Sequence, residues 1–200
     1  MTDYLNGKVA LVTGGAMGLG KAITDRLLHQ GCRVAFIDLN ESAGMATERA
    51  FRATFGEDHV IFMKCDITKD EAFEDCFVRV KKKFGRLDIV VNNAGFAGEE
   101  SWRRIFEINT TDLYYSRTGV KVSCLCPEPI ETDLWRGITT FCQEIALNTP
   151  YITENYSSGV QRPENVAKGV IKLIQDGING AALLSLYDEG LVYHEFSSVR

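Results

Sequence analysis

Two hundred residues, 45% hydrophobic and 24% charged, describe an ordinary globular chain that is long enough to bury a core and short enough for one domain. The formal net charge of −5 speaks against nucleic-acid binding, which needs a basic face, and no apolar run reaches the ~18 residues of a membrane span. The six cysteines lack C-x-x-C spacing, with Cys124 and Cys126 forming only a C-x-C, so they read as free buried thiols of a reducing cytoplasm rather than as metal or redox ligands. The start, "MTDYLNGKVALVTGG", has neither a basic lead nor a cleavage site and does not read as a signal peptide.

In chain order, Val9–Thr13, Val34–Asp38, Val60–Lys64 and Leu87–Val91 are short β-branched runs that read as buried strands. Between them the period turns helical. Leu19, Ala22, Ile23 and Leu27 share one face of the first helix, which ends by Gly31. Phe73, Cys76, Phe77, Val80 and Phe84 line a later helix, with Thr68 and Glu71 as a capping box at its start and Lys81 to Lys83 and Gly85 at its close. Strands joined by crossover helices make a parallel sheet covered on both faces, the first half of an α/β, Rossmann-like doubly wound fold.

The turn after the first strand, "TGGAMGLGKAI", carries Gly14, Gly18 and Gly20. Glycines there allow a sharp turn and close backbone approach to a pyrophosphate, while the helix N-terminus offers N–H groups and a positive dipole end. Asp38 ends the second strand about 20 residues on, where an acid that binds ribose hydroxyls belongs. Its charge would repel a 2′-phosphate, and Leu39 follows in place of an arginine, so NAD is favoured over NADP. Further on, Trp102, Ile105, Phe106, Asn109 and Leu113 fall on one helical face. A buried amide costs about 1–3 kcal/mol without a partner, so Asn109 needs one: either a helix–helix bond or a catalytic group.

"TGGAMGLG", "KCDIT" and "GRLDIVVNNAG" together resemble the signatures of the short-chain dehydrogenases/reductases, and look most like that family's 15-hydroxyprostaglandin dehydrogenase branch. The likeness is dense from Gly7 to about Asn109 and resumes in "GVKVSCLCPEPIETDL" and, weakly, in the segment that begins "RPENVAKGVIKLI". It implies one NAD(P)-binding Rossmann-type domain over residues 1–200, with 1–116 the intact cofactor half and 117–200 a truncated C-terminal half. It also implies roles. The backbone from Gly14 through Met17, Gly18 and Leu19 to Gly20 would hold the diphosphate, and Asp38 and Leu39 the adenosine ribose. Cys65, Asp66 and Ile67 would frame the adenine. Asn92 would lie by the nicotinamide ribose, with Ala94 and Gly95 letting the cofactor pass, and Ile130 and Thr132 would touch the carboxamide. Asn109 would be the catalytic asparagine that holds a water of the proton relay.

The family's serine and its Y-x-x-x-K pair are absent. Tyr114 is followed at that spacing by Thr118 and Tyr115 by Gly119, and the sole numerical match, Tyr4 to Lys8, spans an Asn-Gly turn before the first strand. A strand–helix unit on the order of 30 residues is missing, and the Pro-Gly of the later loop is replaced by Pro127-Glu128-Pro129. The resemblance therefore implies an NAD-dependent oxidoreductase oxidising a secondary alcohol, such as that of a hydroxylated lipid, impaired in this chain. The alternatives are an inactive NAD-binding or regulatory isoform and an unstable splice or gene-model product. The family's homodimer would be weakened, and no metal, nucleic-acid or membrane partner is implied. With a strand missing, Val120 to Cys124 is expected to pair in parallel with Leu87 to Val91, after a helix from about Glu100 to Ser116. The helix near Glu164 to Gln175 and the strand Ala181–Leu186 are expected on the outer edge beyond.

Overall fold

The computed structural model describes residues 4–67, 69–95, 121, 123–133 and 159–194. The chain divides into two compact units, 1–95 and 96–200.

The first unit alternates strands and helices: β1 (Val9–Thr13), α1 (Gly18–His29), β2 (Arg33–Asp38), α2 (Glu41–Phe55), β3 (Val60–Lys64), α3 (Asp70–Phe84) and β4 (Ile89–Val91). The strands form one parallel sheet in the order β3-β2-β1-β4. β1 and β2 are central and apolar on both faces, so every residue of β1 is buried. Alternate side chains then serve opposite layers. Val9, Leu11, Ala35, Ile37 and Met63 pack with Cys76, Val80 and Phe84 of α3. Phe36 turns the other way, towards Phe51 of α2, with ring centroids 6.3 Å apart.

Helix α1 buries Ile23 and Leu27 and leaves Leu19 and Ala22 half-exposed. At the start of α3 the N-cap is Lys69, without a side-chain cap, and its N–H bonds the Asp66 carbonyl in a turn (3.1 Å); Thr68, on which the expected capping box rests, lies outside the described residues. The end is as expected: three lysines in the last turn, then Gly85 at φ 82, a conformation glycine adopts without strain.

Asp88 ties β4 to β1. Its Oδ2 accepts the Val9 N–H (2.9 Å), its own N–H donates to the Val9 carbonyl (2.9 Å), and its Oδ1 accepts the Arg86 Nε–H (3.1 Å). Partial burial pushes the Asp88 pKa up, but the Arg86 and Val9 hydrogen bonds and the Arg86 and Lys8 charges outweigh it and hold the carboxyl below its usual range. A depressed folded-state pKa contributes stability above the unfolded carboxylate value of about 3.9, and that contribution is lost as pH falls through the folded value. Asp88→Asn should therefore lower the urea midpoint at pH 7 and flatten its fall below about pH 4. An unaltered acid limb would show that Asp88 carries none of it.

The second unit contains β5 (Cys124–Pro127), α4 (Pro163–Asp176), β6 (Ala182–Leu186) and β7 (Gly190–His194). The sheet order is β5-β6-β7, with β5 parallel and β7 antiparallel to β6. Helix α4 starts with proline at its first position, where no N–H is needed, and buries Val166, Ala167, Val170 and Ile171. Leu125 faces α4, since a Cβ built on Gly169 would lie 2.7 Å from Leu125 Cδ1. Below the sheet, Gln161 and Ser185 satisfy each other: Ser185 Oγ donates to Gln161 Oε1 (2.8 Å), and Gln161 Nε2 donates to the Ser185 carbonyl (2.6 Å).

Two expectations are corrected here. In the strand "VKVSCL", Val120 and Val122 lie outside the described residues, and no described residue of it pairs with Leu87 to Val91. Among the described residues β4 pairs with β1 and β5 pairs with β6, because the β5–α4–β6 crossover supplies a local parallel partner. Nor is Ala182–Leu186 an outer strand. It is central, since "LYDEGLVYH" folds back as a hairpin with Gly190 at φ 77, and β7 takes its second edge. The expected helix from Glu100 to Ser116 lies outside the described residues. The thiols also differ from expectation: Cys32, Cys65 and Cys76 are buried, but Cys124 is half-buried and Cys126 exposed. Among the described residues no helix is long and apolar enough to cross a membrane.

Candidate cofactor-binding site

The four parallel strands end on one edge, in register: Thr13 opposite Ile37, Asp38 opposite Lys64, and Val12 opposite Val91. The loops beyond these ends hold most of the residues singled out from the sequence.

The turn Gly14 to Gly20 is held from three sides. Towards β2, the Gly15 N–H donates to the Ile37 carbonyl (3.1 Å) and the Ala16 N–H to Asp38 Oδ2 (3.1 Å). Towards α2, the buried Thr47 hydroxyl donates to the Ala16 carbonyl (2.9 Å). Towards β4, Asn93 Nδ2 donates to the carbonyls of Thr13 (2.9 Å) and Gly14 (3.3 Å), while Thr13 Oγ1 accepts the N–H groups of Asn93 and Ala94 (2.9 Å each).

The glycines serve this packing. Gly14 has φ 64, and a Cβ there would lie 2.9 Å from Ala94 Cα; one on Gly20 would fall on the Gly14 carbonyl oxygen. Their small size is thus spent on protein–protein approach, which the sequence alone did not distinguish from approach to a ligand.

Helix α1 opens from this turn with Met17 as an uncapped N-cap and no acid in its first turn. Its first N–H groups have no intrahelical partner, and no carboxylate of the helix's own first turn repels an anion placed before them. Asp38 stands beside them, half-buried, with Oδ1 accepting the Asn40 N–H (3.0 Å). Two protein bonds leave acceptor capacity on a carboxylate with about four lone-pair sites. Leu39 is 65% exposed and Ile67 37%, while Cys65 is buried and bonded through its N–H to the Asp38 carbonyl (3.1 Å). Asp66 is half-buried, 3.9 Å from Lys69 Nζ. Asn92 and Gly95 are exposed and Ala94 half-buried.

The structure thus gathers Gly14, Met17, Gly18, Leu19, Gly20, Asp38, Leu39, Cys65, Asp66, Ile67, Asn92, Ala94 and Gly95 at one sheet edge. Ile130 and Thr132 belong to the second unit, where Ile130 bridges to Gln161. Glu128, which replaces the usual glycine, has its carboxylate bound by the Tyr187 N–H (2.6 Å) at the β6–β7 hairpin. Asn109, Tyr114 and Tyr115 lie outside the described residues. Tyr4 and Lys8 do not share a helix; the ammonium sits over the ring face, 4.1 Å from its centroid. Thr13 and Thr47 are the residues sequence reading missed as builders of the turn, and Asn93 the one it did not tie to the turn. Only the doubled Asn92-Asn93 hinted at one of them.

Residues 8–115 match the family model described as short chain dehydrogenase. A 15-hydroxyprostaglandin dehydrogenase (NAD(+)) of Rattus norvegicus is 43% identical over 255 residues, covering 96% of both chains. That of Homo sapiens is 42% identical over 110 residues, 55% of this chain and 41% of its own. Among solved structures, an NADPH-bound short chain oxidoreductase from Pseudomonas aeruginosa with an atypical catalytic centre superposes with TM-score 0.74 at 18% identity, covering 92% of this chain and 96% of its own. The actinorhodin polyketide ketoreductase with NADPH gives TM-score 0.74 at 22% identity, covering 88% of this chain and 95% of its own. Strand-end cradle, doubly wound topology and a family model spanning more than half the sequence agree: the chain belongs to the short-chain dehydrogenase family.

Proposed function

We propose that this chain binds NAD in preference to NADP and descends from a 15-hydroxyprostaglandin dehydrogenase-like secondary-alcohol oxidoreductase, with turnover lost or nearly so. The observation that carries the cofactor half is Asp38, whose carboxylate stands beside the open N-terminus of α1 with acceptor sites to spare. The N–H groups around Gly14 to Gly20 would hold the diphosphate, and Asp38 the ribose hydroxyls. Cys65, Asp66 and Ile67 would frame the adenine. Asn92, Ala94 and Gly95 would serve the nicotinamide side; by the family resemblance Ile130 and Thr132 would touch the carboxamide and Asn109 would hold a water. When bound, the cofactor supplies hydride transfer to or from a carbinol carbon.

The surroundings of Asp38 support NAD. Lys64, its partner across the ladder, has its ammonium on Glu41 Oε2 (2.9 Å), and Leu39 offers no charge to a 2′-phosphate. Support for lost turnover comes from the absent Y-x-x-x-K. It comes also from the alignment with the rat enzyme, which runs over more positions, 255, than this chain has residues, 200. The relative thus carries sequence without a counterpart here.

Titration of the unmodified chain with both cofactors tests the reading. NAD should bind more tightly, and Asp38→Ala should weaken NAD and narrow the preference. Loss of one charge-assisted contact of about 1.5–3 kcal/mol corresponds to roughly ten- to a hundredfold in affinity. Equal affinities in the unmodified chain would sink it. A hydroxylated lipid remains the substrate class to try first, and a weakened homodimer the assembly to look for.

A further inference from the structure

We propose that Thr47 of α2 is a positioning residue for cofactor binding: its hydroxyl turns the Ala16–Met17 peptide so that the Met17 N–H faces the diphosphate. The inference rests on the reading of the Gly14 to Gly20 turn as the diphosphate cradle.

The Thr47 hydroxyl takes an uncommon partner. A threonine inside a helix ordinarily bonds the carbonyl one turn back in its own helix. Thr24 of α1 does so with Gly20 (2.9 Å), and Thr54 of α2 with Ala50 (3.2 Å). Thr47 is buried on the face of α2 that also carries Gly44 and Phe51. It donates instead to the Ala16 carbonyl, 31 residues away in sequence (2.9 Å).

That bond acts on the peptide that leads into α1. A trans peptide carries its C=O and N–H on opposite sides, and no described peptide bond is cis. With the Ala16 carbonyl drawn to α2, the Met17 N–H is aimed away from α2. The two N–H groups before it are taken, that of Gly15 by the Ile37 carbonyl and that of Ala16 by Asp38 Oδ2. Met17 is exposed, and its N–H has no backbone acceptor among the described residues. It is therefore an open donor of the turn, next to the first N–H groups of α1. Ala16 is fixed at both its N–H and its carbonyl. Without the Thr47 hydroxyl the peptide can rotate, and a donor ordered in advance becomes one that the ligand must order.

The test compares the full chain with Thr47→Val and Thr47→Ser in titrations with NAD, NADP, ADP and adenosine, below the melting transition. Thr47→Val should weaken NAD, NADP and ADP alike, by roughly three- to tenfold, and leave both the NAD-to-NADP ratio and adenosine binding unchanged. Thr47→Ser, which keeps the hydroxyl, should bind as the unmodified chain does. In the unmodified chain the Met17 amide proton should shift with ADP and not with adenosine, a readout that holds even if Thr47→Val fails to fold. Undiminished ADP affinity in Thr47→Val, an equal loss for adenosine, a serine variant as weak as the valine one, or a Met17 amide indifferent to ADP would each overturn the proposal and leave the cofactor reading standing. An unmodified chain that binds neither NAD nor ADP would overturn both.

Discussion

Oxidation of any secondary alcohol with NAD is expected to run at background in this chain. General acid–base catalysis contributes about 10²–10⁴ in rate, and the arrangement implied by the family resemblance supplies it through a tyrosine and a lysine on one helix face, within reach of the reacting hydroxyl. No tyrosine here has a lysine four residues on except Tyr4, whose ring is covered by that lysine in a turn. A second tyrosine–lysine neighbourhood exists at the end of the chain, where Lys172 Nζ lies 5.2 Å from the Tyr193 ring centroid. It is unsuited to be a base. Burial, together with the bond from Tyr193 Oη to Asp176 Oδ2 (2.7 Å), pushes the Tyr193 pKa up to about 12, away from the range in which a phenol accepts a proton near neutrality. Reduced-nicotinamide absorbance in the presence of hydroxylated lipids and simpler alcohols should stay flat. A robust rate that disappears in Tyr114→Phe or Tyr115→Phe would reveal a substitute base and refute the loss of turnover.

Gly20→Ala should disrupt the cofactor cradle more than any other single-methyl change in the first unit. The added Cβ would coincide with the Gly14 carbonyl oxygen and lie 2.5 Å from Asn93 Nδ2. Neither neighbour can swing aside. The carbonyl is main chain at φ 64, and the amide is bonded to Thr13 and Gly14. Overpacking of this kind costs about 1–3 kcal/mol and occasionally more. Here the displaced atoms are the turn itself, so NAD affinity should fall together with the melting temperature. A variant with both unchanged would mean that the turn does not close on Asn93.

Much of the first unit was legible because its signals are local. β1 and β3 end where their β-branched runs end, β2 begins one residue before the run, and β4 begins two residues after Leu87. Gly14, Gly18, Gly20 and Asp38 could be placed because a strand, a glycine turn and a helix follow one another in sequence. What escaped depends on distant partners. The partner of β5 depends on whether β4 or β6 reaches it, and periodicity does not encode that. β7 was missed although "DEG" before "LVYH" is a hairpin signal, because the family likeness fades there. The roles of Thr13 and Thr47 are tertiary and leave no pattern along the chain, and for Asn93 the doubled asparagine is the one trace.

The bonds between Thr13 and Asn93 also govern when the cradle can exist. They join residues 80 apart in sequence, and everything from α1 to α3 lies between them. Contacts of such long range form only after the intervening chain has been ordered. During synthesis, α1 and β2 can settle against β1 early, but the Gly14 carbonyl gains its amide partner only once residues 93 and 94 have left the ribosome. A nascent chain stalled before that point would present the glycine turn without its clasp, so cofactor binding is a late acquisition in the life of this protein, whatever the order in which its helices form.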